Sequence, residues 1–584
     1  MKILGISCDF HDAAAAIVVD GKVIAASEEE RFSRIKHDPA LPRETIKFCL
    51  EQANLKPEDL DALVFYERPF LKFSRIIKSL RADSTGLKKA ISHWGTHGKF
   101  EIKDRLYEFL GNTEIPYFEI DHHSSHAASA YYCSPFEEAT VITLDGVGEY
   151  ETATISKAKK GVLSKLNSLN MPHSIGLFYS AFTSFLGFEV NEGEYKVMGM
   201  AAYGKPVHVD KIRQLYSLLD NGLIKFDLSY FNFATPFDTH YTKKFVQLLG
   251  KPRTPESDFI IKGEDGQFTG NNYANLAASV QSCTEEIILH VVDSAIKRTG
   301  EKNVCLAGGV ALNSAANGRL IRELGTNLYV HPASGDSGGA LGAALLHFHK
   351  TNPRTTHKPM VSPFLGIGFT AHEVEKVLVT REVSFTHYED EDELLDFLAS
   401  NLKQGCVAGW FHGRAEWGPR SLGSRSIIAD PGNPNIQQIV NSKIKFREPF
   451  RPFAPSVPED LGKEYFELLD PTEHASQDHF ASSPEHYMLA IAQVKEKYLG
   501  RFPAITHVDN TARVQLVSQA ISPRFYKMLL AMRHHTGYPM LLNTSFNLRG
   551  EPIVNSPTDA LRTFEKSDMD YLVMENFLIS KTDD

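Results

Sequence analysis

The chain has 584 residues, 42% of them hydrophobic and 23% charged, an ordinary globular composition that is too long for one core and calls for two or more domains. A formal net charge of −10 argues against nucleic acid as the main partner, because a phosphate backbone needs a basic surface. The six cysteines (Cys8, Cys49, Cys133, Cys283, Cys305, Cys406) never form a CxxC pair, which argues for reduced thiols in a cytoplasmic protein and against a disulfide framework or zinc cage; Met1 to Gly5 runs into a strand with no signal peptide, and no apolar run approaches the ~18 residues of a membrane span.

Lys2 to Asp9 is predicted to be a buried strand ending in an acid, followed by His11-Asp12 and a small-residue run, Ala13 to Val19. Asp20-Gly21 supplies a hairpin turn, and Lys22 to Ser27 returns as a strand. The charged run Glu28 to His37 has the composition of a solvated face, although its place after a strand gives Arg31, Arg34 and Lys36 a claim on a ligand. Thr45 to Leu55 has an amphipathic helical pattern, Leu60 to Tyr66 that of a strand, and Phe70 to Ile91 that of a basic surface helix.

An apolar run, Ile115 to Ile120, leads through Asp121 into His122-His123-Ser124-Ser125-His126. On a helix His122 and His126 share one face, and a ring nitrogen from each can reach one metal ion; the same spacing suits an ordinary surface pair equally well. The N-terminal grammar returns at Ala139 to Lys157, where the strand Val141 to Leu144 ends at Asp145-Gly146. A strand–acid–turn–strand opening used twice points to duplication of one α/β unit, as in sugar kinases, actin and the heat-shock ATPases; a chance likeness of two hairpins is the alternative.

Gly193 to Met200 reads as a glycine-punctuated turn in which Lys196 and Gly199 can meet a nucleotide, or as a plain loop. Residues 207–270 carry few chemical signals and are expected to form helices with a partly mobile insertion, while Asn272 to Arg298 is one long helix. Asn303 to Ala307 is a strand broken by Gly308-Gly309 ahead of Val310 to Asn317. A glycine pair between strand and helix brings backbone N–H groups up to a phosphate. Leu328 to His331 is the next strand, and Ser334 to Ala340 opens a small-residue helix in which Asp336 is an N-cap or a metal ligand.

The strings DHHSSHAASAYYCSPF, LDGVGEY, GEYKVMGMAAYG, GGVALNSAANG and SGDSGGALGAAL resemble, in order and along nearly the whole chain, the nodulation-protein and antibiotic O-carbamoyltransferase family. The resemblance implies an α/β fold with a duplicated actin-like domain over 1–352, similar to the universal tRNA-threonylcarbamoyl transferase, and a YrdC-like domain over 353–584. It implies Fe2+ or another divalent metal held by His122, His126, Asp145 and Asp336, a donor set that suits Fe, Mn or Zn alike. Asp9, Lys196, Gly199, Gly308, Gly309 and Asn313 fall to the cofactor side.

His349 to Pro363 is a proline-rich, polar boundary. Ala371 to Thr380 and Asp390 to Gln404 read as helices, and Cys406 to Phe411 as a buried strand. His412 to Ser426 then gathers Arg414, Arg420 and Arg425 with three serines around glycines, a candidate anion site. In Lys443 to Phe453, basic and apolar residues alternate as on a strand, with Lys443, Lys445 and Arg447 on one face; a solvated rim or nucleic-acid patch is the alternative. Within the resemblance Lys445 and Arg447 match a K-x-R element, Ser545 and Asn547 an S-x-N element, and Arg513 an arginine near the nucleotide. Asn510 stands where the family often has glycine, and asparagine tolerates positive φ better than most other residues, so the loop is expected to survive.

The implied activity is ATP-dependent O-carbamoyl transfer. The C-terminal domain makes carbamoyladenylate from carbamoyl phosphate and ATP, with Mg2+ a further candidate ion and Lys445, Arg447, Arg420 and Arg513 neutralising charge. The N-terminal cleft passes the carbamoyl group to a hydroxyl of a small molecule, a secondary metabolite or sugar; His11 either assists deprotonation there or caps a turn. A tRNA threonylcarbamoyladenosine-type enzyme is the alternative, opposed by the acidic charge. No nucleic-acid or membrane partner is expected, and a homodimer through the N-terminal domain is admitted.

Overall fold

Buried apolar runs make most of the strands of a first unit, Met1–Ile24 with Ala40–Pro359, the third strand running on past Ile24. In chain order they are β1 (Lys2–Ser7), β2 (Ala14–Val19), β3 (Lys22–Glu28), β4 (Ala62–Phe65), β5 (Tyr117–Glu119), β6 (Glu138–Leu144), β7 (Glu151–Lys159), β8 (Val162–Asn170), β9 (Asn303–Ala307) and β10 (Asn327–Val330). The structure, a computed structural model, describes residues 1–80, 84–96, 98–233, 240–257, 260–262, 268–445, 451, 453–468 and 483–581.

Two five-stranded sheets follow one plan. The first runs β3-β2-β1-β4-β5, with β2 antiparallel to β1 and, on the other side, β4 and β5 parallel. The second runs β8-β7-β6-β9-β10, with β7 antiparallel to β6 and β9 and β10 parallel. This is the duplicated actin-like arrangement, and Asp9 and Asp145 follow its equivalent central strands. The β2–β3 turn has φ of 50° at Asp20 and 76° at Gly21, the left-handed pair an Asp-Gly hairpin requires.

The helices that matter for the site are α1 (Pro69–Ser79), α2 (Ile102–Leu110), α3 (His122–Cys133), α4 (Glu194–Ala201), α5 (Asn272–Thr299), α6 (Ser314–Leu324) and α7 (Asp336–Thr351). Residues 336–349 of α7 are all buried, as expected of a helix that is small or apolar on every face. Its glycines and alanines let backbones touch. A Cβ on Gly5 of β1 would stand 1.9 Å from the Ala340 carbonyl oxygen, and one on Gly342 only 1.8 Å from that of Ser125 in α3.

Some local expectations fail for identifiable reasons. Glu194 to Met200 is not a turn but lies in α4, which buries Val197 and Met200 three residues apart; the glycines at its two ends allow close approach, a Cβ on Gly193 standing 2.6 Å from the Glu189 carbonyl oxygen and one on Gly204 2.0 Å from that of Ala274 in α5. The basic stretch after Phe70 is not all surface, because Lys72 is buried and donates to both oxygens of Glu67 at 2.9 and 2.7 Å. Between 207 and 270 the described residues form two short antiparallel pairs, Tyr216–Leu218 with Ile224–Phe226 and Ile260–Lys262 with Phe268–Gly270, beside short helical pieces such as Lys243–Leu249. Residues 234–239, 258–259 and 263–267 of that insertion lie outside the described residues.

The second unit comprises Ala25–Pro39 and Met360–Asp584. Its strands are β11 (Thr386–His387), β12 (Val407–Phe411), β13 (Arg425–Ala429), β14 (Ala454–Pro458), β15 (Gln515–Val517), β16 (Leu541–Ser545), β17 (Tyr571–Met574) and β18 (Phe577–Ser580). They form one sheet in the order β11-β18-β17-β12-β13-β16-β14-β15. Alternate residues of β12 feed two cores, Val407 and Phe411 on one face and Ala408 and Trp410 on the other, so both faces are covered. The second core is closed by α8 (Glu391–Lys403) and α9 (Pro523–Thr536).

The charged run after β3 is not a solvated face. Glu28, Glu29 and Arg31 are buried: Arg31 Nη2 donates to the Gly418 carbonyl at 2.7 Å, and the Gly418 N–H donates to Glu28 Oε1 at 3.0 Å. Arg34 donates to the carbonyls of Ile553 and Pro552 at 2.6 and 2.8 Å. Lys443 and Lys445 do not lie on a strand either. Val440–Ile444 is a wide helical turn, because Ile436, Val440 and Ile444 are buried at every fourth position and that spacing overrides the basic–apolar alternation. Arg447 lies outside the described residues. No helix among the described residues is long and apolar enough to cross a membrane.

Candidate functional site

α3 starts at its histidines because Glu149 caps it. The Glu149 carboxylate accepts the His122 backbone N–H at 3.0 and 3.2 Å and the Arg68 N–H at 2.8 Å, placing negative charge at the positive end of the helix. One turn apart, His122 and His126 are buried with their Nε2 atoms 3.1 Å from each other. His123 turns elsewhere: its Nδ1 lies 2.7 Å from Thr143 Oγ1, and burial, then the neighbouring His122, push its pKa down to about 3. It is a neutral core residue.

Asp145 follows β6 and is fixed from two sides. Its Oδ1 accepts the Gly309 N–H at 2.9 Å, and Ser174 Oγ donates to the carbonyls of Gly146 and Asp145 at 2.6 and 3.2 Å. Gly308 adopts φ of 91°, where a Cβ would stand 2.2 Å from the Leu144 carbonyl oxygen, so only glycine fits. The Gly308-Gly309 pair therefore positions a carboxylate. Asp336, the first residue of α7, arrives through the close α3–α7 packing at Gly342.

The four side chains converge. Asp145 Oδ2 lies 3.2 Å from His122 Nε2, and Asp336 Oδ1 lies 3.6 Å from His122 Nε2 and 3.4 Å from His126 Nε2. All four ligand atoms fall within 4.8 Å of one another. Ligands bonded to one ion at about 2.0–2.2 Å stand about 3.0–3.5 Å apart, so the donor set fits a single divalent cation, with two imidazoles and two carboxylates to neutralise it. Burial disfavours the charged His122 ring, but Asp336 and Asp145 outweigh it and raise its pKa to about 9. Burial likewise opposes ionisation of both carboxyls, yet the histidines hold Asp145 well below, and Asp336 below, the ordinary range.

His11 stands beside this set, its Nδ1 2.9 Å from Asp12 Oδ2 and its Nε2 4.0 Å from Asp336 Oδ2. Burial lowers its pKa, but Asp12, Asp336 and Asp145 bring it to about 9. Asp9 has φ of 71° and is gripped by Arg105 of α2, whose Nη1 lies 2.9 Å from each carboxylate oxygen. Asn313 caps α6, accepting from the Ala316 N–H at 3.1 Å and sharing hydrogen bonds with Gln281. Lys196 and Gly199 lie on α4, with Lys196 Nζ 5.8 Å from the Phe188 ring centre.

In the second unit Lys445 is buried, and its ammonium donates to the Ser545 carbonyl (2.7 Å) and hydroxyl (3.2 Å) and to the Asn547 carbonyl (2.9 Å) and Oδ1 (2.6 Å). Lys445, Ser545 and Asn547 thus form one polar cluster. Arg420 and Arg513 are half-buried; Arg420 precedes Ser421, whose hydroxyl donates to Asn543 Oδ1 at 3.3 Å. Arg425 is fully buried and structural, donating to the carbonyls of His412, Gly413, Ser424 and Ile367 while its guanidinium lies 3.7 Å over the Phe411 ring. Asn510 has the positive φ expected of it, 65°.

Sequence reasoning passed over Glu67, Arg105 and Glu149. Glu67 follows a strand, as Asp9 and Asp145 do, so its signal was present; Glu149 is within LDGVGEY, but its capping of α3 has no local signal.

The carbamoyltransferase N-terminus profile matches residues 2–345, and the carbamoyltransferase C-terminus profile matches residues 399–581. The chain is 44% identical to an uncharacterized protein of Synechocystis sp., over 99% of this chain and 97% of that one. It is 36% identical to nodulation protein NolNO of Sinorhizobium fredii, over 98% of this chain and 79% of the relative, and 34% identical to nodulation protein NolO of Bradyrhizobium diazoefficiens, over 79% of each. Among solved structures it is similar to component A of the Acidaminococcus fermentans (R)-2-hydroxyglutaryl-CoA dehydratase, at 18% identity over 60% of this chain and 99% of that one, with a TM-score of 0.34. The chain belongs to the carbamoyltransferase family and is an enzyme of carbamoyl-group transfer.

Proposed function

We propose that the protein is an ATP-dependent O-carbamoyltransferase acting in the cytoplasm on a hydroxyl of a small molecule, a secondary metabolite or sugar. The observation that carries this is the pairing, in one chain, of a four-ligand His/Asp set under the N-terminal profile with a lysine-centred polar cluster under the C-terminal one.

In the second unit carbamoyl phosphate is split by water into carbamate and phosphate. A carbamate oxygen then bonds to the α-phosphorus of ATP, the bond from that phosphorus to the β-phosphate bridge breaks, and pyrophosphate leaves. Lys445, Arg447, Arg420 and Arg513 neutralise the charge that builds on the phosphoryl oxygens. The product, carbamoyladenylate, is a labile anhydride, and one chain that both makes and uses it limits its exposure to water.

In the first unit the acceptor hydroxyl attacks the carbamoyl carbon and AMP departs. His122, His126, Asp145 and Asp336 would hold the metal. A divalent ion held there, Fe2+ by family resemblance, would supply Lewis acidity and would offset the carboxylate charge that keeps His11 protonated. Asp12 holds the His11 ring at Nδ1 and leaves Nε2 to take the acceptor's proton. Glycines 308 and 309 keep Asp145 in place, and Glu149 keeps His122 in place.

The test is to incubate the protein with Fe(II), ATP and carbamoyl phosphate and measure pyrophosphate. Release well above that of Lys445→Ala is expected. Release equal to that of the variant would remove the adenylate route.

A further inference from the structure

We propose that His412 and Glu575 form an imidazole–carboxylate dyad that accepts a proton at the donor-activating site of the second unit. This rests on the carbamoyl-phosphate and ATP chemistry proposed above.

His412 follows β12, and Glu575 occupies the turn between β17 and β18. His412 Nδ1 lies 2.7 Å from Glu575 Oε2, and the Gly413 N–H donates to Oε1 at 2.9 Å, so both carboxylate oxygens are engaged and the ring is locked. Arg524 donates from Nη2 to the Glu575 carbonyl at 2.8 Å, and its Nη1 lies 3.5 Å from Oε2 and 3.4 Å from His412 Nδ1, so the ring faces a cation as well as the carboxylate. Burial of the Glu575 carboxyl is outweighed by His412, Gly413 and Arg524, and it stays ionised below the ordinary range. Such a carboxylate selects the tautomer with Nδ1–H and stabilises the ring when it gains a second proton.

The turn itself does not call for glutamate. Glu575 has φ of 48°, a conformation in which hairpins ordinarily place glycine, asparagine or aspartate. A long acidic side chain in that strained position is explained by what its carboxylate holds. The other ring nitrogen is available: His412 is 33% exposed, and Nε2 meets no partner among the described residues.

The sheet register puts the dyad at the working end of the unit. Phe411, just before His412, pairs with Arg425 and with Met574, just before Glu575. The next residue of β13, Ser426, pairs with Ser545, which holds Lys445. His412 and the Lys445 cluster are therefore two strands apart at one end of the strands, about 10 Å at ~4.8 Å per strand, a span that phosphate groups of two substrates can fill.

In the step assigned to the dyad, a water oxygen bonds to the phosphorus of carbamoyl phosphate and the bond from phosphorus to the carbamoyl oxygen breaks. Carbamate leaves, phosphate forms, and the water's proton passes to His412 Nε2 while Glu575 balances the new positive charge.

Phosphate and pyrophosphate release by the full-length protein would be followed from pH 5.5 to 9, with melting temperatures in parallel. Wild type should show an acidic limb. His412→Gln should lose about 100-fold in rate and the limb, imidazole should partly restore His412→Gly, and Glu575→Gln should move the limb to lower pH. Unchanged rate and limb in folded His412→Gln would overturn the dyad. So would a loss in folded His412→Gly that imidazole does not relieve, which would mark a clamp. Glu575→Gln keeps an oxygen acceptor for the ring and decides the matter where the His412 variants do not fold: an unmoved limb sinks the proposal. A wild type that makes no pyrophosphate overturns the adenylate route and this step together, whereas a wild type that makes it with an indifferent dyad overturns this step alone.

Discussion

His122 and His126 point their Nε2 atoms at each other across 3.1 Å of buried space, with an Asp145 oxygen 3.2 Å from the first and an Asp336 oxygen 3.4 Å from the second. Two ring nitrogens can face one another so closely only around a shared proton or a shared cation, and two carboxylates beside them favour either. His122→Ala and His126→Ala should each lower bound divalent metal at least tenfold after equilibration with Fe(II) or Zn(II). Elemental analysis of dialysed protein measures this directly, and an unchanged content in His122→Ala would exclude the set as a metal site.

Glu149 should matter to the same measurement without touching the ion. Glu149→Ala removes the acceptor of the His122 and Arg68 N–H groups and is expected to cost about 1 kcal/mol of stability and about tenfold in metal affinity. Glu149→Gln, which keeps one acceptor, should recover most of both. Denaturant unfolding with a metal titration checks it; identical curves for the Ala variant and wild type would mean that the cap does not position His122.

A single methyl should separate the ligand-bearing helices. Gly342→Ala would place its Cβ 1.8 Å from the Ser125 backbone oxygen, so α3 and α7 must move apart. The expected penalty is about 1–3 kcal/mol, together with weakened metal binding, since Asp336 and His126 lie on opposite sides of that contact. Gly95→Ala, with nothing within 4 Å of the new methyl, is the control and should be neutral. Equal melting temperatures for the two variants would refute the packing account.

These three sites show what the sequence made legible. Histidines four apart, acids after central strands and an Asp opening a small-residue helix are local patterns, and local patterns survive folding. Glu149 was missed because its job, capping a helix 27 residues earlier, exists only once the chain has turned back. The burial of Arg31 has no local signature, because a charge run looks the same in water as in a buried network of carbonyls. Lys445 follows a helical turn instead of lying on a strand because the four-residue spacing of Ile436, Val440 and Ile444 sets in before the basic–apolar alternation.

The acid sensitivity of the first unit should pass through His331. Its ring is fully buried, its Nδ1 accepts the Ala333 N–H at 3.1 Å, and burial takes its pKa down from 6.5 to about 4. A lowered folded value means that the unfolded chain binds this proton first. The contribution to stability is complete above pH 6.5 and is lost as pH falls toward 4, a swing of about 3 kcal/mol. His331→Asn, which keeps an acceptor for Ala333, should flatten unfolding free energy over that window. The same slope in variant and wild type would place the sensitivity elsewhere.

The strap Ala25–Pro39 ties its arginines to carbonyls of the second unit, and 387 residues separate Arg31 from the glycine it grips. During synthesis its arginines have no such partners until residues 40–359 have been made and the later sheet has formed. A gene split after Pro359 would orphan it: one product would keep the strap without its anchor, the other the anchor without its strap. The second unit is thus discontinuous in sequence, and residues 360–584 expressed alone would lack the arginines that hold the carbonyls of Gly418, Pro552 and Ile553.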